Sequence, residues 1–356
     1  MNPIKNKLLG PLTTIGIGGR ARWFVEAATE EEIIEAADWA GQRSLPLFVL
    51  GGGSNLLVAD AGFDGLVLRV ALHGIAVAAD EDGARIYRVA AGEDWEHFVE
   101  QALADSCAGV ECLAGIPGTV GGTPVQNVGA YGQEVASVIE RVRAFDLWQR
   151  KFVEFTAEEC GFSYRRSRFN SVDRGRYVVT RVDYRLRPNG EATIRYAELQ
   201  RALDERQAGG KKLSLTEVAE VVRGLRQAKG MLLVEGDADC RSAGSFFKNP
   251  VVDREQIERI TSVSEKAPPR FSAGPGAENV GRVKVPAAWL IEQAGFAKGY
   301  ALGRAGISSR HTLALVNRGS ATAAEVLALA GQITAAVEKR FCVRLEMEPV
   351  MVGDLQ

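Results

Sequence analysis

The stretch Cys112-Leu-Ala-Gly-Ile-Pro-Gly-Thr-Val-Gly-Gly-Thr-Pro-Val-Gln-Asn-Val-Gly-Ala-Tyr-Gly132 is dense in glycine and has no charged side chain. Glycine at this density is a conformational cost that positive φ angles or close backbone approach to a ligand would justify. Successive free N–H groups in such loops form concavities that suit phosphate groups. The stretch therefore predicts a loop that holds an anionic ligand.

A second glycine segment, Leu50-Gly-Gly-Gly-Ser-Asn-Leu56, follows the apolar run Leu47 to Leu50, which predicts a strand. Neither segment is a Walker loop, since no Gly-Lys-Ser/Thr follows, and neither has the spacing of a Rossmann dinucleotide turn. Two tight turns in a glycine-rich sheet would explain the glycine counts equally well. Glycine content alone leaves both interpretations open.

Composition restricts the class of protein. The chain has 356 residues, enough for two or three domains, and its 46% hydrophobic and 25% charged residues are ordinary for a globular protein. A net charge of −2 provides no general attraction to nucleic acid or anionic membrane. No apolar run is long enough to span a bilayer, and the N-terminus lacks the apolar segment of a signal peptide. We expect a cytoplasmic protein with no nucleic-acid partner, no membrane insertion and no obligate protein partner.

Metal and histidine chemistry are not indicated. The five cysteines include no C-x-x-C pair, and the three histidines are scattered along the chain. An odd number of cysteines without a signal peptide is typical of reduced thiols. No metal site is therefore predicted.

The chain opens with a β-α-β pattern that delivers the first glycine segment at a strand end, where open α/β sheets bind ligands. Capping boxes begin helices at Thr29 and Thr322. Thr216 is predicted to cap a third helix, and residues 262–281 are predicted to form a surface loop. Turn formers at Pro188-Asn-Gly-Glu191 predict a domain boundary. The chain is predicted to end on a strand over 343–352.

The exact sequences of the glycine segments narrow the interpretation to one protein family. Gly-Gly-Gly-Ser-Asn-Leu-Leu, Gly-Ile-Pro-Gly-Thr-Val-Gly-Gly and Gln-Asn-Val-Gly-Ala-Tyr-Gly together resemble the UDP-N-acetylenolpyruvoylglucosamine reductase family, and specifically its tyrosine-loop subtype. The resemblance runs from about Thr14 to about Gly353. It implies an α+β fold with a two-lobed FAD-binding domain of the vanillyl-alcohol oxidase / p-cresol methylhydroxylase type and a C-terminal α+β substrate-binding domain. The domains are predicted at 1–188, with lobes of about 1–65 and 66–188, and at 189–356.

The resemblance also implies the cofactors. FAD would be noncovalent, since no histidine lies in either glycine segment and only Cys112 borders one, and NADPH would be the hydride donor. The predicted FAD-binding residues are Gly51, Gly52, Gly53, Ser54, Asn55, Gly115, Ile116, Pro117, Gly118, Gly121, Gly122, Gln126, Asn127, Gly129, Ala130 and Tyr131.

Three catalytic residues follow from the same resemblance. Arg165, in Tyr164-Arg165, would stabilise negative charge on the substrate, for which a guanidinium is suited because it stays charged. Ser245, in Gly-Ser-Phe-Phe-Lys-Asn-Pro, would protonate C2 after hydride reaches C3 of the enolpyruvyl group. Glu348, in Leu-Glu-Met-Glu-Pro, would help stabilise the intermediate, with Glu346 as the weaker candidate. On a strand these two glutamates would face the same side.

Further substrate-binding residues are implied less specifically. The set that would contact the UDP-sugar comprises Tyr164, Tyr196, Lys229, Asn249 and Gln293. Tyr196, Lys229 and Gln293 are also compatible with ordinary surface or helix positions.

Two rival functions remain. One is another flavin oxidase or dehydrogenase of the same fold, acting on an alcohol or sugar. The other is a nucleotide-binding protein without catalysis. The segments around Ser245 and Glu348 argue against the first, and the joint presence of Arg165, Ser245 and Glu348 argues against the second.

Overall fold

The computed structural model describes residues 1–206, 213–273 and 279–355. The loop predicted over 262–281 therefore lies partly outside the described residues. The helices, in chain order, are α1 (Glu30–Gly41), α2 (Trp95–Ala104), α3 (Ala197–Arg206), α4 (Leu215–Ala228), α5 (Arg254–Ser262), α6 (Ala287–Gln293) and α7 (Ala323–Phe341). The strands, in chain order, are β1 (Ile4–Leu8), β2 (Arg20–Ala27), β3 (Leu47–Leu50), β4 (Leu56–Val58), β5 (Phe63–Val70), β6 (Ile75–Ala79), β7 (Arg85–Ala90), β8 (Cys107–Ala108), β9 (Gly129–Ala130), β10 (Gln133–Glu134), β11 (Ile139–Asp146), β12 (Lys151–Thr156), β13 (Tyr177–Pro188), β14 (Ser242–Ser245), β15 (Val251–Val252), β16 (Phe271–Ser272), β17 (Val283–Lys284), β18 (Ala301–Leu302), β19 (Ala305–Ile307), β20 (Ala314–Asn317) and β21 (Val350–Val352).

The chain divides into two compact units. The first unit comprises Met1–Lys7, Ala21–Gly52 and Asp64–Gln227. The second unit comprises Leu8–Arg20, Gly53–Phe63 and Ala228–Gln356.

This division differs from the predicted domains 1–188 and 189–356. Helices α3 and α4 belong to the first unit, where Arg226 Nε donates to the Gly115 carbonyl oxygen at 2.9 Å. Two early segments belong to the second unit, where β4 pairs in parallel with β21 and Asn317 Nδ2 donates to the Ile15 carbonyl oxygen at 3.0 Å. The turn residues at 188–191 lie at the end of β13. The corresponding boundary between the two units lies later, between Gln227 and Ala228.

The first unit contains two main sheets. One has the strand order β1-β2-β5-β3, with β3 and β5 parallel. The other is antiparallel, in the order β12-β11-β13-β7-β6, and Val182 of β13 lies opposite both Val142 and Val89. The lobe boundary predicted at about residue 65 falls within β5, which runs from Phe63 to Val70 in the first sheet.

Helix α2 forms the core of this unit through the apolar face predicted from its spacing. The residues of that face, Trp95, Phe98, Val99, Ala102 and Leu103, are all buried, which confirms the prediction. The Phe98 ring stacks on Tyr184 of β13 at 4.7 Å between centroids, and Trp95 Nε1 donates to the Leu113 carbonyl oxygen at 3.0 Å. The helix is thereby joined to the start of the long glycine stretch.

The second unit packs α5, α6 and α7 with short strands. Its main sheet has the order β14-β20-β19-β18 and is antiparallel. Helix α7 buries Val326, Leu329, Ala330, Ile333 and Val337, as predicted, and Thr322 forms the predicted capping box with Glu325.

Two local predictions are wrong. Helix α4 is capped by Ser214, whose Oγ accepts from the Glu217 N–H at 3.2 Å, and Thr216 already lies inside the helix. The terminal strand covers only Val350–Val352, preceded by an isolated bridge between Phe247 and Met347. Pro349 explains the shorter strand, because proline has no N–H for a strand ladder.

Across the described residues, none of the helices combines the length and hydropathy needed to cross a bilayer.

Candidate active site

The two glycine segments meet in the first unit. A Cβ atom added to Gly52 would lie 2.5 Å from Gly118 Cα, and one added to Gly51 would lie 3.0 Å from Thr119 Oγ1. Gly52 is therefore required by the closeness of the other segment, and it does not have a positive φ. Gly53, in the second unit, does have one, at +68°, and its added Cβ would lie 1.9 Å from the Leu12 carbonyl oxygen. Both positions exclude a side chain.

The second glycine segment is held by main-chain hydrogen bonds to the chain that links β7 to α2. The N–H groups of Val120 and Gly121 donate to the carbonyl oxygens of Glu93 and Ala91, at 2.9 and 2.8 Å. The Trp95 N–H donates to the Gly118 carbonyl oxygen at 3.1 Å. Main-chain hydrogen bonds therefore hold residues 118–121 against the start of α2 and the link that precedes it.

One polar atom of this loop has no hydrogen-bond partner within the described residues. Thr119 Oγ1 is buried and faces Gly51. Leaving a buried hydroxyl unsatisfied costs roughly 1–3 kcal/mol. The loop is therefore suited to a ligand that supplies a polar atom here.

A buried arginine lies beside the same loop. Arg226 is 7% exposed, and the carbonyl it contacts belongs to Gly115, whose N–H donates to Glu96 Oε2 at 2.5 Å. Burial lowers the pKa of the Arg226 guanidinium, and the neighbouring Tyr131 and Glu96 oppose that shift. A ligand with negative charge would favour the charged form.

Sequence reasoning missed both Arg226 and Thr119. An arginine on an amphipathic helix is usually solvated, but Arg226 follows the buried Val218 and Val222 at intervals of four residues. That spacing was the available signal for its burial. No local pattern distinguishes Thr119 from other loop threonines.

Arg165 lies in a strained turn of the first unit. Ser163 and Arg166 close the turn by exchanging N–H to carbonyl hydrogen bonds at 2.9 and 3.0 Å, and Arg165 has φ +56°. This backbone region is uncommon for a residue with a long side chain. Arg165 Nη1 lies 3.5 Å from the position of an added Cβ on Gly129, so the guanidinium reaches the second glycine segment.

Two tyrosines meet near that segment. The Tyr196 ring contacts Tyr131 edge-on, with 5.6 Å between centroids, and 39% of Tyr196 is exposed. Burial raises the pKa of Tyr131 to about 12. The Tyr164 ring lies beside Arg165, with 5.6 Å between its centroid and Arg165 Cζ. The first unit thus brings Tyr196 to Tyr131, and Arg165 towards Gly129.

The second unit brings the segments of Ser245 and Glu348 together. Ser245 ends β14, and the next carbonyl, that of Phe246, accepts from the Glu348 N–H at 2.9 Å. Asn55 Nδ2 donates to the Glu348 carbonyl oxygen at 3.4 Å, and the Val350 N–H donates to the Asn55 carbonyl oxygen at 2.9 Å. Ser245, Glu348 and Asn55 are all half-buried, so a ligand can reach them.

The two candidate glutamates have different surroundings. The Glu346 side chain is 72% exposed and pairs with Lys248 Nζ, whereas Glu348 is half-buried. This difference favours Glu348, although the expectation that the two share one face of a regular strand is not met.

For the remaining predicted site residues, the structure gives burial and, for Asn249, a hydrogen-bond partner. Asn249 Oδ1 accepts from the Ala287 N–H at 2.9 Å, so this oxygen caps α6 rather than facing solvent. Lys229 and Gln293 are half-buried in the second unit, and their contact with substrate stays a prediction. The remaining predicted cofactor residues that are half-buried comprise Ser54, Ile116, Pro117, Gln126, Gly129 and Ala130; Gly122 is exposed, with open space around it.

Comparison with known proteins assigns the architecture. Residues 21–151 match the family model of an FAD binding domain, and residues 236–352 match that of the UDP-N-acetylenolpyruvoylglucosamine reductase C-terminal domain. The solved UDP-N-acetylenolpyruvylglucosamine reductase of Thermus caldophilus superposes with a TM-score of 0.66 at 27% identity, covering 99% of each chain. The fold and site are those of an FAD-dependent oxidoreductase, and the predicted fold class is confirmed.

Relatives named UDP-N-acetylenolpyruvoylglucosamine reductase specify the family. The Thermobifida fusca protein is 44% identical over 351 residues, 98% of each chain. The Streptomyces coelicolor protein is 46% identical over 354 residues, 97% of this chain and 89% of the relative. The chain belongs to the UDP-N-acetylenolpyruvoylglucosamine reductase family.

The residues of the first unit fit FAD. Gly52 approaches Gly118 so closely that no side chain fits between the two segments, and glycine-rich main chain of this kind suits a diphosphate. The buried Thr119 hydroxyl and the Arg226 guanidinium add a polar atom and a positive charge beside that loop. These groups would hold the cofactor.

Gly52→Val is expected to weaken FAD binding. Its side chain would overlap the main chain at Gly118, and such overpacking costs about 1–3 kcal/mol. Relieving this overlap would displace the Gly118 main chain from the loop assigned to FAD, so FAD affinity should fall roughly 10- to 100-fold, measurable by titrating the FAD-free protein. Gly41→Val is the control, since no atom lies within 4 Å of its added Cβ. Equal FAD affinity in the Gly52→Val variant and the parent would contradict the assignment.

Proposed function

We propose that this chain reduces the enolpyruvyl group of UDP-N-acetylglucosamine-enolpyruvate to UDP-N-acetylmuramate, with NADPH as the hydride donor, in peptidoglycan precursor synthesis. The observation that supports it most directly is the pairing, in the second unit, of the Ser245 segment with the Glu348 segment. This pairing occurs in a chain 44% identical to a reductase of that name.

Ser245 is assigned the proton transfer. FAD, when bound, would accept hydride from NADPH and deliver it to C3 of the enolpyruvyl group. Addition at C3 leaves negative charge at C2 that is conjugated with the carboxylate, and such a carbon is strongly basic. A serine hydroxyl is a weak acid, and this basicity is what allows it to donate its proton.

The strand of Ser245 is anchored at its other end. Thr14 Oγ1 donates to the Ser242 carbonyl oxygen at 2.6 Å and lies 3.4 Å from the Ser54 carbonyl oxygen. Thr14 therefore connects β14 to the first glycine segment within the second unit. A proton donor must be held within hydrogen-bond reach of its target, and this contact restricts the strand that carries Ser245.

Arg165 and Glu348 are assigned to the charged intermediate. The Arg165 guanidinium can hydrogen-bond the substrate carboxylate through two N–H groups at once. Glu348 is assigned to help stabilise the same intermediate. The substrate contacts of Tyr164, Tyr196, Lys229, Asn249 and Gln293 are part of the same proposal.

Covalent attachment of FAD is not expected. Cys112, which borders the second glycine segment, is fully buried, and its N–H donates to Gln133 Oε1 at 2.9 Å. Burial raises the pKa of its thiol to about 12, with the neighbouring Glu111 adding to the shift. A thiol that stays protonated is a poor nucleophile.

A cytoplasmic location and action without an obligate protein partner complete the proposal. All five cysteines are free thiols, as is usual in a reducing compartment.

The purified protein is expected to be yellow and to oxidise more than one equivalent of NADPH only when the enolpyruvyl sugar nucleotide is present. Acid precipitation should release all of the flavin into the supernatant. Colour retained in the pellet would contradict noncovalent binding. Turnover with an alcohol or a free sugar instead would favour a different flavin enzyme, and a colourless protein that binds only the nucleotide would favour a noncatalytic role.

A further inference from the structure

The turn that presents Arg165 requires support from outside itself. Its centre has φ +56°, a region that costs a bulky residue on the order of 1 kcal/mol or more and persists only where the surroundings impose it. Within the turn, Asn170 Nδ2 donates to the Arg165 carbonyl oxygen at 3.1 Å. Two further restraints come from the second glycine segment.

Asn127 is the first of these restraints. Its Nδ2 group donates to the Ser163 carbonyl oxygen at 3.1 Å and to Glu134 Oε2 at 2.8 Å. Its Oδ1 accepts from the Ala136 N–H at 3.1 Å. Both N–H groups of the amide are thus used inside the protein, and the residue is only 1% exposed.

Ser167 is the second restraint, on the other side of the turn. Its Oγ donates to the Val125 carbonyl oxygen at 2.6 Å, and the residue is fully buried. Residues 163 and 167 are therefore both attached to the short stretch 125–127. The position of Arg165 follows the position of that stretch.

We propose that Asn127 is a positioning residue, whose side chain holds Arg165 in its strained conformation rather than contacting FAD. The inference rests on the catalytic role proposed for Arg165. A cofactor contact from Asn127 would have to come from its main chain, because the side chain is buried and both amide N–H groups have acceptors. Asparagine also suits its own φ of +48° at this position.

Asn127→Gly removes the side chain and keeps a residue that tolerates positive φ. We expect flavin reduction by NADPH to stay near the parent rate, while reoxidation by the enolpyruvyl substrate slows roughly 10- to 100-fold, the scale of a misplaced reacting group. In an Arg165→Ala background the same substitution should have almost no further effect, because residues that act through one another are not additive.

Asn317→Ala is the matched control. Asn317 is also 1% exposed, and its side chain hydrogen-bonds to the main chain of Ile15, Gly16, Gly319 and Ala321. Its effect on reoxidation, whatever its size, should be the same with and without Arg165. Ser167→Ala provides a second variant should Asn127→Gly fail to fold, and it should show the same dependence on Arg165.

Trypsin cleavage of the FAD-loaded protein, without NADPH or substrate, reports on the conformation of the turn independently of turnover. Arg165 and Arg166 are potential cleavage sites, and Arg166 is exposed. Cleavage there should be faster in Asn127→Gly than in the parent or in Asn317→Ala. Unchanged cleavage, or a reoxidation cost that is equal in both Arg165 backgrounds, would overturn the positioning role alone. A normal reoxidation rate in Arg165→Ala would instead overturn the role of Arg165, and the positioning proposal with it.

Discussion

Ser245→Ala is expected to separate the two halves of the reaction. The hydroxyl is needed only to protonate the substrate, so reduction of the bound flavin by NADPH should keep its normal rate. Reoxidation by the enolpyruvyl sugar nucleotide should fall by about 10²- to 10⁴-fold, the effect of losing a general acid. Stopped-flow absorbance of the flavin measures both rates in one preparation.

Two further serine variants control this experiment. Ser245→Cys keeps a transferable proton and should recover part of the lost rate. Ser242→Ala removes a hydroxyl at the opposite end of the same strand, where Oγ accepts from the Gly244 N–H at 3.3 Å, and it should leave reoxidation near normal. If Ser245→Ala reoxidised as fast as the parent, the hydroxyl would be structural and the proton would come from another group.

Glu348→Gln is expected to slow reoxidation by roughly 10²- to 10³-fold, because the amide keeps the size of the carboxyl but removes its preorganised electrostatic contribution to the intermediate. The spectrum of the bound flavin should remain that of the parent, since the residue is not assigned to cofactor binding. The same stopped-flow measurement applies, supplemented by the absorbance spectrum of the oxidised protein.

Glu346→Gln is the matched control for that substitution. It removes an exposed pair with Lys248, and pairs of this kind contribute about 0–1 kcal/mol. We expect a normal rate and a nearly normal melting temperature. A slow Glu346→Gln with a normal Glu348→Gln would show that the catalytic carboxyl was assigned to the wrong glutamate.

The elements predicted most accurately are those with local patterns. The spacing of apolar residues placed α2 and its buried face, and the Thr322 capping box placed the start of α7. Both patterns depend on neighbours within one or two helical turns, so a single sequence contains them. The cap of α4 was misplaced by two residues because Ser214 and Thr216 are both suitable caps, and hydrogen-bond geometry decides between them.

Among the residues of the candidate site, those within short motifs were predicted, and those defined by contacts with distant segments were not. Motif resemblance identified Arg165, Ser245 and Glu348, but it carried no information on what holds them. Thr14, whose hydroxyl contacts the start of β14, and Arg226, whose guanidinium contacts Gly115, were not among the predicted site residues. Their partners are distant in sequence, and no periodicity connects them.

The sequence by itself determined the family, the glycine segments, the amphipathic helices and the candidate catalytic residues, because each is encoded in short runs of adjacent residues. Only the tertiary structure decided why Gly52 must be glycine, since the excluding atom belongs to Gly118. It also gave Glu346 and Glu348 different surroundings, and it assigned residues 189–206 and 213–227 to the first unit. These outcomes depend on close packing between segments far apart in the chain, where burial and hydrogen-bond geometry are determined by partners that no local pattern specifies.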